Sequence, residues 1–455
     1  MKLPFARFPP VVSGPSVAAA RTAAAQPASS TQEAAGIRAL GFALLFAVVM
    51  SVFEGPIRYA LNLVHLDSLV FVRDALLAAA LLAFIAVRVP ARAVPASVGI
   101  FAVLALVHGT VSYFNLHTPI AAVYGLKLFV PGLCGFLGAA AIFRPGPIVL
   151  RLIAVMWVAS VIGAAVDRFW IDYPWVGMNV DLGGVSVYLG RDWQSTLLKR
   201  VGGLTRSSIN LAIDLPLLSF MLMTCLRSRV ARAVVAALTI TVLVWTTQKG
   251  AILAYALAVL ALLLSNRKLT TPLKAAVVFA TVVMIFAPTV LVHYTMPRDN
   301  GMFSLESFYE RIGQMWPDAW AWIGRFPPYV LGVGLGGIGG AQRFFAPEYF
   351  NAADNLFVYL FASFGVASLA YLGAVVLVAL NAQVRNFRRD GVVLASLVFL
   401  LMYGFVVSLV EDQIAALWLG ATLGWLAGLQ PAARAAAAAA SAARRHDVDA
   451  RGGAC

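Results

Sequence analysis

Charge is scarce in this chain: 12% of its 455 residues are charged, 61% are hydrophobic, and the mean hydropathy is +0.86. That balance excludes a soluble domain of this length. Cysteine is scarce as well, with three residues. Cys134 and Cys225 fall in apolar runs and Cys455 is terminal, so neither a disulfide framework nor a metal-ligand spacing is visible. None of the five histidines stands at ligand spacing from another, and no metal or cofactor is expected. No apolar core of a signal peptide precedes Ile37. No internal repeat is visible, which weighs against a transporter rocking between two related halves.

What the chain has is long apolar runs. Runs of about 17 to 25 residues suit membrane-spanning helices, because only helices and closed barrels satisfy their backbone in lipid, and barrel strands would alternate every second residue. The expected fold is therefore an all-α polytopic membrane protein with about twelve spans. They lie near 37–53, 71–88, 95–112, 119–143, 149–167, 208–226, 231–247, 249–265, 274–294, 354–382, 391–410 and 412–430. Residues 1–35, rich in Ala, Ser, Pro and Gln, read as a disordered tail, 36–430 as the membrane domain, and 431–455 as a second tail.

The distribution of cations tests this count, since Lys and Arg concentrate in alternate loops on the cytoplasmic side. Both tails and the alternate loops hold 21 basic residues against four acids, Glu33, Asp390, Asp447 and Asp449, whereas the rest of the chain holds 13 basic and 16 acidic residues. The formal charge of +14 thus reports orientation, with both termini expected in the cytoplasm and no nucleic acid implied. Two longer excursions, 168–207 and 295–353, face outward. Their Trp residues and mixed charges suit short helices at the membrane surface, for example Trp170, Trp175, Arg191, Asp192 and Trp193 in the first and Arg298, Trp316, Trp320, Trp322 and Arg343 in the second.

Charges also enter the outward half of the spans: Glu54, Arg58, Arg73, Asp74, Lys127, Asp214, Lys249, Asp354, Glu411 and Asp412. An ionised group at mid-helix costs roughly 2.5 to 3.5 kcal/mol on insertion scales, so these groups should face one another or a watery chamber. Arg58 is one turn from Glu54, which allows an internal pair. Lys127 has no acid near it in sequence and should meet an anion on another helix or on a ligand. Asp354 could simply cap the helix that follows it, and Arg311 could pair with Glu306 or Glu310. Lys249 could be an interfacial anchor. The run Gly332-Val-Gly-Leu-Gly-Gly337 formally fits G-x-G-x-x-G but lacks the surrounding strand-helix unit. Its glycines suit a tight turn or close approach of backbone N–H groups to an anionic or sugar ligand.

Taken in order, several segments resemble the O-antigen ligase and Wzy-type polysaccharide polymerase superfamily, over about residues 50 to 430. They are Glu54-Gly-Pro-Ile-Arg58 with Val72-Arg73-Asp74, Tyr124-Gly-Leu-Lys127, Arg200-Val-Gly-Gly-Leu-Thr-Arg206-Ser-Ser, and Thr247-Gln-Lys249-Gly-Ala. Glu310-Arg311 with Trp316, the glycine run, and Asp354-Asn355-Leu complete the set. Lys249 stands where the family commonly has Arg, which keeps the charge and loses the bidentate fork. Ligases usually place His before the Asn of the last motif. Asp354 before Asn355, with Glu411-Asp412 later, is similar to the exopolysaccharide polymerase branch.

The resemblance implies a GT-C-like glycosyltransferase of the bacterial inner membrane, multi-pass, with periplasmic loops 168–207 and 295–353. Its donor and acceptor would be glycans linked to undecaprenyl diphosphate, and its further partners a chain-length regulator and a flippase. A sugar hydroxyl would attack the anomeric carbon and the lipid diphosphate would leave. Asp354 is then the expected general base, positioned by Asn355, with Glu411 as substitute; Arg200, Lys249 and Arg311, and behind them Arg58, Lys127 and Arg206, would bind the diphosphate. Two alternatives stay open: a ligase moving glycan to lipid A core, and, from another class, a flippase or transporter of lipid-linked oligosaccharide.

Overall fold

The computed structural model describes residues 28–89, 94–181, 186–191, 199–292 and 305–429. Residues 1–27 and 430–455, which hold most of both expected tails, lie outside this range, as do Asp192, Trp193 and Arg298. The first helix starts at Ala28, so the end of the expected N-terminal tail is helical. The helices are α1 (Ala28–Val52), α2 (Glu54–Leu63), α3 (Val72–Arg88), α4 (Ala96–Leu116), α5 (Pro119–Phe143), α6 (Pro147–Phe169), α7 (Ser208–Cys225), α8 (Arg229–Thr246) and α9 (Lys249–Leu263). After these come α10 (Thr271–Val290), α11 (Glu306–Glu310), α12 (Trp316–Ile323), α13 (Gln342–Phe345), α14 (Leu356–Phe364), α15 (Ala367–Asn381), α16 (Val392–Gly404) and α17 (Gln413–Ala427). A short antiparallel hairpin, β1 (Asn179–Asp181) and β2 (Ser186–Tyr188), rises from the loop between α6 and α7.

Among the described residues, seven helices are long and apolar enough to cross a membrane. An eighth is counted if Gly36–Val52 and Glu54–Leu63, bent by 81° at Phe53, form one span. This is a polytopic membrane protein by helix length and composition. The other four expected spans fall on shorter helices for local reasons. Gly365, at φ 54°, breaks 354–382 into α14 and α15; the helix in 391–410 ends at Gly404, ahead of the separate turn Leu409–Glu411; α9 and α17 have 15 residues each.

The core lies where α5, α7, α16 and α17 meet, and α16 is buried from Val392 to Gly404. A helix apolar all round suits this central place. The tightest packing is between α5 and α17. A Cβ on Gly420 would stand 1.8 Å from the carbonyl oxygen of Gly132, one on Gly135 1.9 Å from that of Leu417, and one on Gly424 2.2 Å from that of Phe136. Lipid offers helices no hydrophobic gain from associating, so small residues that let backbones touch supply van der Waals contact instead. The loop between α10 and α14 packs down onto the bundle. Trp316 is fully buried against Phe308 and Phe405, and the Trp322 indole donates to the Gly337 carbonyl at 2.7 Å, so these rings are core and not surface anchors.

Gly420→Val is expected to lower the unfolding midpoint of the detergent-solubilised protein, by at least the 1–3 kcal/mol of roughly typical overpacking. Gly373→Ala, where an added Cβ meets nothing within 4 Å, serves as the control. An unchanged midpoint for Gly420→Val would show that α5 and α17 do not meet in this way.

Candidate functional site

The polar side chains collect at one end of the bundle, where α5, α7, α9, α14 and α17 begin, and the segment Ser408–Gln413 joins them. Ser408 donates to the Ala352 carbonyl at 3.1 Å, at the foot of the Asp354 loop. Glu411 accepts the Gly340 N–H at 2.5 Å and the Ser408 hydroxyl at 3.3 Å. Asp412 caps α17 through the Ala415 N–H at 2.8 Å and accepts the Asn210 amide at 2.6 Å. Gln413 donates to Asp74 at 2.7 Å. Side chains from opposite ends of the sequence are thereby fixed relative to one another.

Asp354 lies in this assembly with φ 39°, after Ala353 at φ 61°. Non-glycine residues held in the left-handed region cost on the order of 1–3 kcal/mol each and persist only where the surroundings impose them. Here Asn351 Oδ1 accepts the Ala353 N–H at 2.7 Å, and the Asn351 amide donates to the Met315 carbonyl at 2.6 Å. The cap of α14 is Asn355, not Asp354: its Oδ1 accepts the Val358 N–H at 3.0 Å, and its amide donates to the carbonyls of Met284 and Phe405 at 3.1 Å each. Asn355 is fully buried, so it ties α10, α16 and α14 together and leaves Asp354 just outside the helix.

Arg311 reaches Asp354, with Nη2 2.6 Å from Oδ2 and Nη1 donating to the Ser307 carbonyl at 2.5 Å. Its partner is thus neither Glu306 nor Glu310. Burial raises the Asp354 pKa, and the charge and hydrogen bond of Arg311 oppose that rise. Arg200 stands in the field of Arg311 and near Tyr403, and burial followed by the like charge of Arg311 depresses its guanidinium. The Nε atoms of Arg200 and Arg311 and the hydroxyls of Tyr403 and Tyr359 are buried without a hydrogen-bond partner. Such groups carry a desolvation cost of about 1–3 kcal/mol apiece unless a ligand or water meets them. Lys249 opens α9, half-buried, and its neighbour Gly250 packs against Val406 and Tyr403.

Glu411 forms a second centre, with a pKa raised by burial and lowered by the Gly340 N–H and Arg191. Arg191 is joined electrostatically by Arg343 and Tyr124, and Arg343 stacks over Phe350 at 4.4 Å. Arg206 lies near Arg58, Glu54 and Arg191 and donates to the Tyr188 carbonyl at 3.3 Å. Burial and then Arg58 press its pKa down to about 9, which leaves it charged at neutral pH. Arg58 and Lys127 are engaged in ion pairs. Arg58 meets Glu54 at 2.5 Å as its spacing allows, and Lys127 meets Asp74 on α3 at 2.6 Å, which supplies the anion sought for it on another helix. Arg73 bridges Glu54 and Asp74 at 3.6 and 3.8 Å.

In the glycine run the Val333 and Leu335 N–H groups donate to the carbonyls of Ala362 and His108, at 2.7 and 3.1 Å, and Gly340 serves Glu411. Gly334 and Gly336, at φ 106° and 71°, press against Ser112 and Ala121, so these glycines allow close backbone approach to α4 and α5. Sequence reasoning placed Arg191 and Arg343 in the loops without singling them out, and Tyr403 lay hidden in an apolar run. Among the described residues, no group of three or more His, Cys, Asp or Glu could hold a metal ion. No family model, curated protein or solved structure matches the chain.

Two outcomes follow from this geometry. Asn355→Ala is expected to cost on the order of 2–4 kcal/mol, because it strands two buried carbonyls and a helix N–H, and to lower the unfolding midpoint accordingly. An unchanged midpoint would contradict the tie. In Arg311→Gln, one of two opposed influences on Asp354 is removed, so its carboxyl should stay protonated to higher pH than in the wild type. Infrared difference spectra of the protonated carboxyl band measure this, and a shift to lower pH would contradict the pairing. The sign extends to stability: with its folded pKa above the usual value, Asp354 contributes most when protonated, and its contribution falls as pH rises through that window.

Proposed function

We propose that the chain is a lipid-diphosphate-dependent glycosyltransferase of the O-antigen ligase and Wzy-type superfamily, acting as a polysaccharide polymerase. In this reading it has twelve spans in a GT-C-like arrangement, lies in the bacterial inner membrane with both termini cytoplasmic, and works at the periplasmic face. Its substrates are undecaprenyl-diphosphate-linked repeat units, with a chain-length regulator and a flippase as partners. The observation that carries the reading is the meeting of Asp354 with Arg311, 43 residues apart, beside the half-buried Arg200 and the start of α9 at Lys249. A carboxylate among cations at the polar end of an apolar bundle suits a reaction that releases a proton and a diphosphate together.

In the proposed reaction the acceptor hydroxyl attacks the anomeric carbon of the donor glycan. A new glycosidic bond forms, the bond from that carbon to the lipid diphosphate breaks, and the hydroxyl proton passes to Asp354. Cations already fixed in a water-poor site favour the charge that develops on the leaving diphosphate without reorganising. Arg311 has two anions to serve. When it turns to the diphosphate it releases Asp354, whose pKa then rises, and the carboxylate becomes a stronger base at the moment a proton has to be taken. Glu411, bound to Gly340 and Ser408, positions the glycine loop and ranks behind Asp354. Arg58 and Lys127, already paired with acids, build the wall of the site, while Arg206 joins Arg191 and Arg343 in a second basic group.

Purified protein in lipid, given an undecaprenyl-diphosphate-linked repeat unit, is expected to yield a ladder of polymer. Asp354→Ala, Arg311→Ala and Lys249→Ala should each slow chain growth by roughly 10²- to 10⁴-fold while leaving the protein folded. Full polymer from both cation variants would remove the diphosphate role. Transfer of one repeat to lipid A core would indicate a ligase, and passage of intact repeats across the bilayer a flippase.

A further inference from the structure

At the opposite end of the bundle, away from the site above, a groove of about 390 Å³ runs between α1, the junction of α5 with α6, and α17. Its wall is apolar: Ile37, Phe42, Leu45 and Val48 from α1, Val149 and Ile153 from α6. Phe42 is 64% exposed, so the groove opens to the side, toward what would be lipid in a membrane. Two features distinguish it from the ordinary apolar surface of a spanning helix. Arg38 and Arg144 line it, and so does Trp418. The Arg144 guanidinium lies 4.9 Å from the Trp425 ring centroid, which holds it in place, and among the described residues it has no acidic partner. Trp418 is 2% exposed, and its indole N–H is buried without an acceptor.

We infer that this groove is a binding site for an anionic phospholipid, with the phosphate at Arg38 and Arg144 and an acyl chain along the apolar wall. The occupant follows from three observations together. A volume in the range of about 300–1,000 Å³ typical of ligand pockets accommodates a chain and excludes a bare ion as the whole ligand. Lateral opening admits a molecule already in the bilayer. The two arginines that line it select negative charge, as basic pockets between spanning helices on the cytoplasmic side do for anionic head groups. The site is independent of the reaction proposed above, since it shares no residue with it.

The site also has a structural consequence. A lipid here touches α1, α6 and α17 at once, and the far end of α17 begins at Gln413, directly after Glu411 and the cap Asp412. Occupancy therefore braces the helix on which the polar assembly hangs.

The test is native mass spectrometry of the full-length protein released from detergent with equal amounts of phosphatidylglycerol and phosphatidylethanolamine. The wild type should retain phosphatidylglycerol preferentially, and Arg38→Gln with Arg144→Gln should reduce that retention roughly twenty-five-fold, at about a factor of five for each arginine. A second variant occludes the groove without touching charge. Gly146 lines it, has φ −68°, and an added Cβ there meets nothing within 4 Å, so Gly146→Leu should fold and lose both lipids. Equal retention of the two lipids by the wild type would overturn the inference, as would undiminished phosphatidylglycerol in both variants. Displacement of the lipid by inorganic phosphate at the same concentration would do so as well, since that would make the site one for free anions.

Discussion

The structure depends on how an apolar bundle accommodates ionised groups. Each charge removed from water has to be met by an opposite charge or by hydrogen bonds, or the fold carries its desolvation cost. Much of this is met along one segment, while Asp390 and Asp167 are satisfied elsewhere by backbone N–H groups and their own cations. Six consecutive residues, Ser408 to Gln413, contact the Asp354 loop, the glycine loop, the head of α7 and Asp74 on α3. From Asp74 the pairing extends to Lys127 and, through Arg73, to Glu54 and Arg58. The groups satisfy one another as a network, so the position of any one of them is set by the others.

Close helix packing keeps that network in register. Backbone contact along Gly132, Gly135, Gly420 and Gly424 fixes α17 against α5, and α5 carries Tyr124 and Lys127. Shape complementarity between two helices therefore determines electrostatic geometry some distance away. Within this frame Asp354 and Arg311 differ from the wall of paired charges. Arg311 keeps a buried unpartnered Nε beside the unpartnered Nε of Arg200 and the hydroxyl of Tyr403, whereas Arg58 and Lys127 are matched by acids of their own.

Much of the architecture was legible in the sequence because hydropathy and helix length have a direct physical reading. The apolar runs predicted the helices, and the i, i+4 spacing of Glu54 and Arg58 predicted their pair. Where the structure departs from that reading, the cause is local. Glycine at 365 interrupts a run that hydropathy alone joins, and Val52 to Glu54 turn through 81° without any apolar signal. Partners distant in sequence carried no signal either: Asp354 with Arg311, Lys127 with Asp74, Gln413 with Asp74. Asn355 and Asp354 read as one motif, yet their roles divide, because the neutral amide can both donate and accept and so serves as cap and tie, while the carboxylate can only accept. The glycine run likewise showed its turns and a close backbone approach, while α4 and α5 as neighbours carried no signal, since a sequence shows where a backbone can come close but not to what.

Asn355 carries a consequence beyond stability. One amide holds carbonyls of Met284 on α10 and Phe405 at the end of α16, while its oxygen starts α14. Asp354 is the adjacent residue, so its position is a function of the spacing between two helices and not only of its own loop. A displacement of one of those helices against the other would therefore be carried directly to the carboxylate.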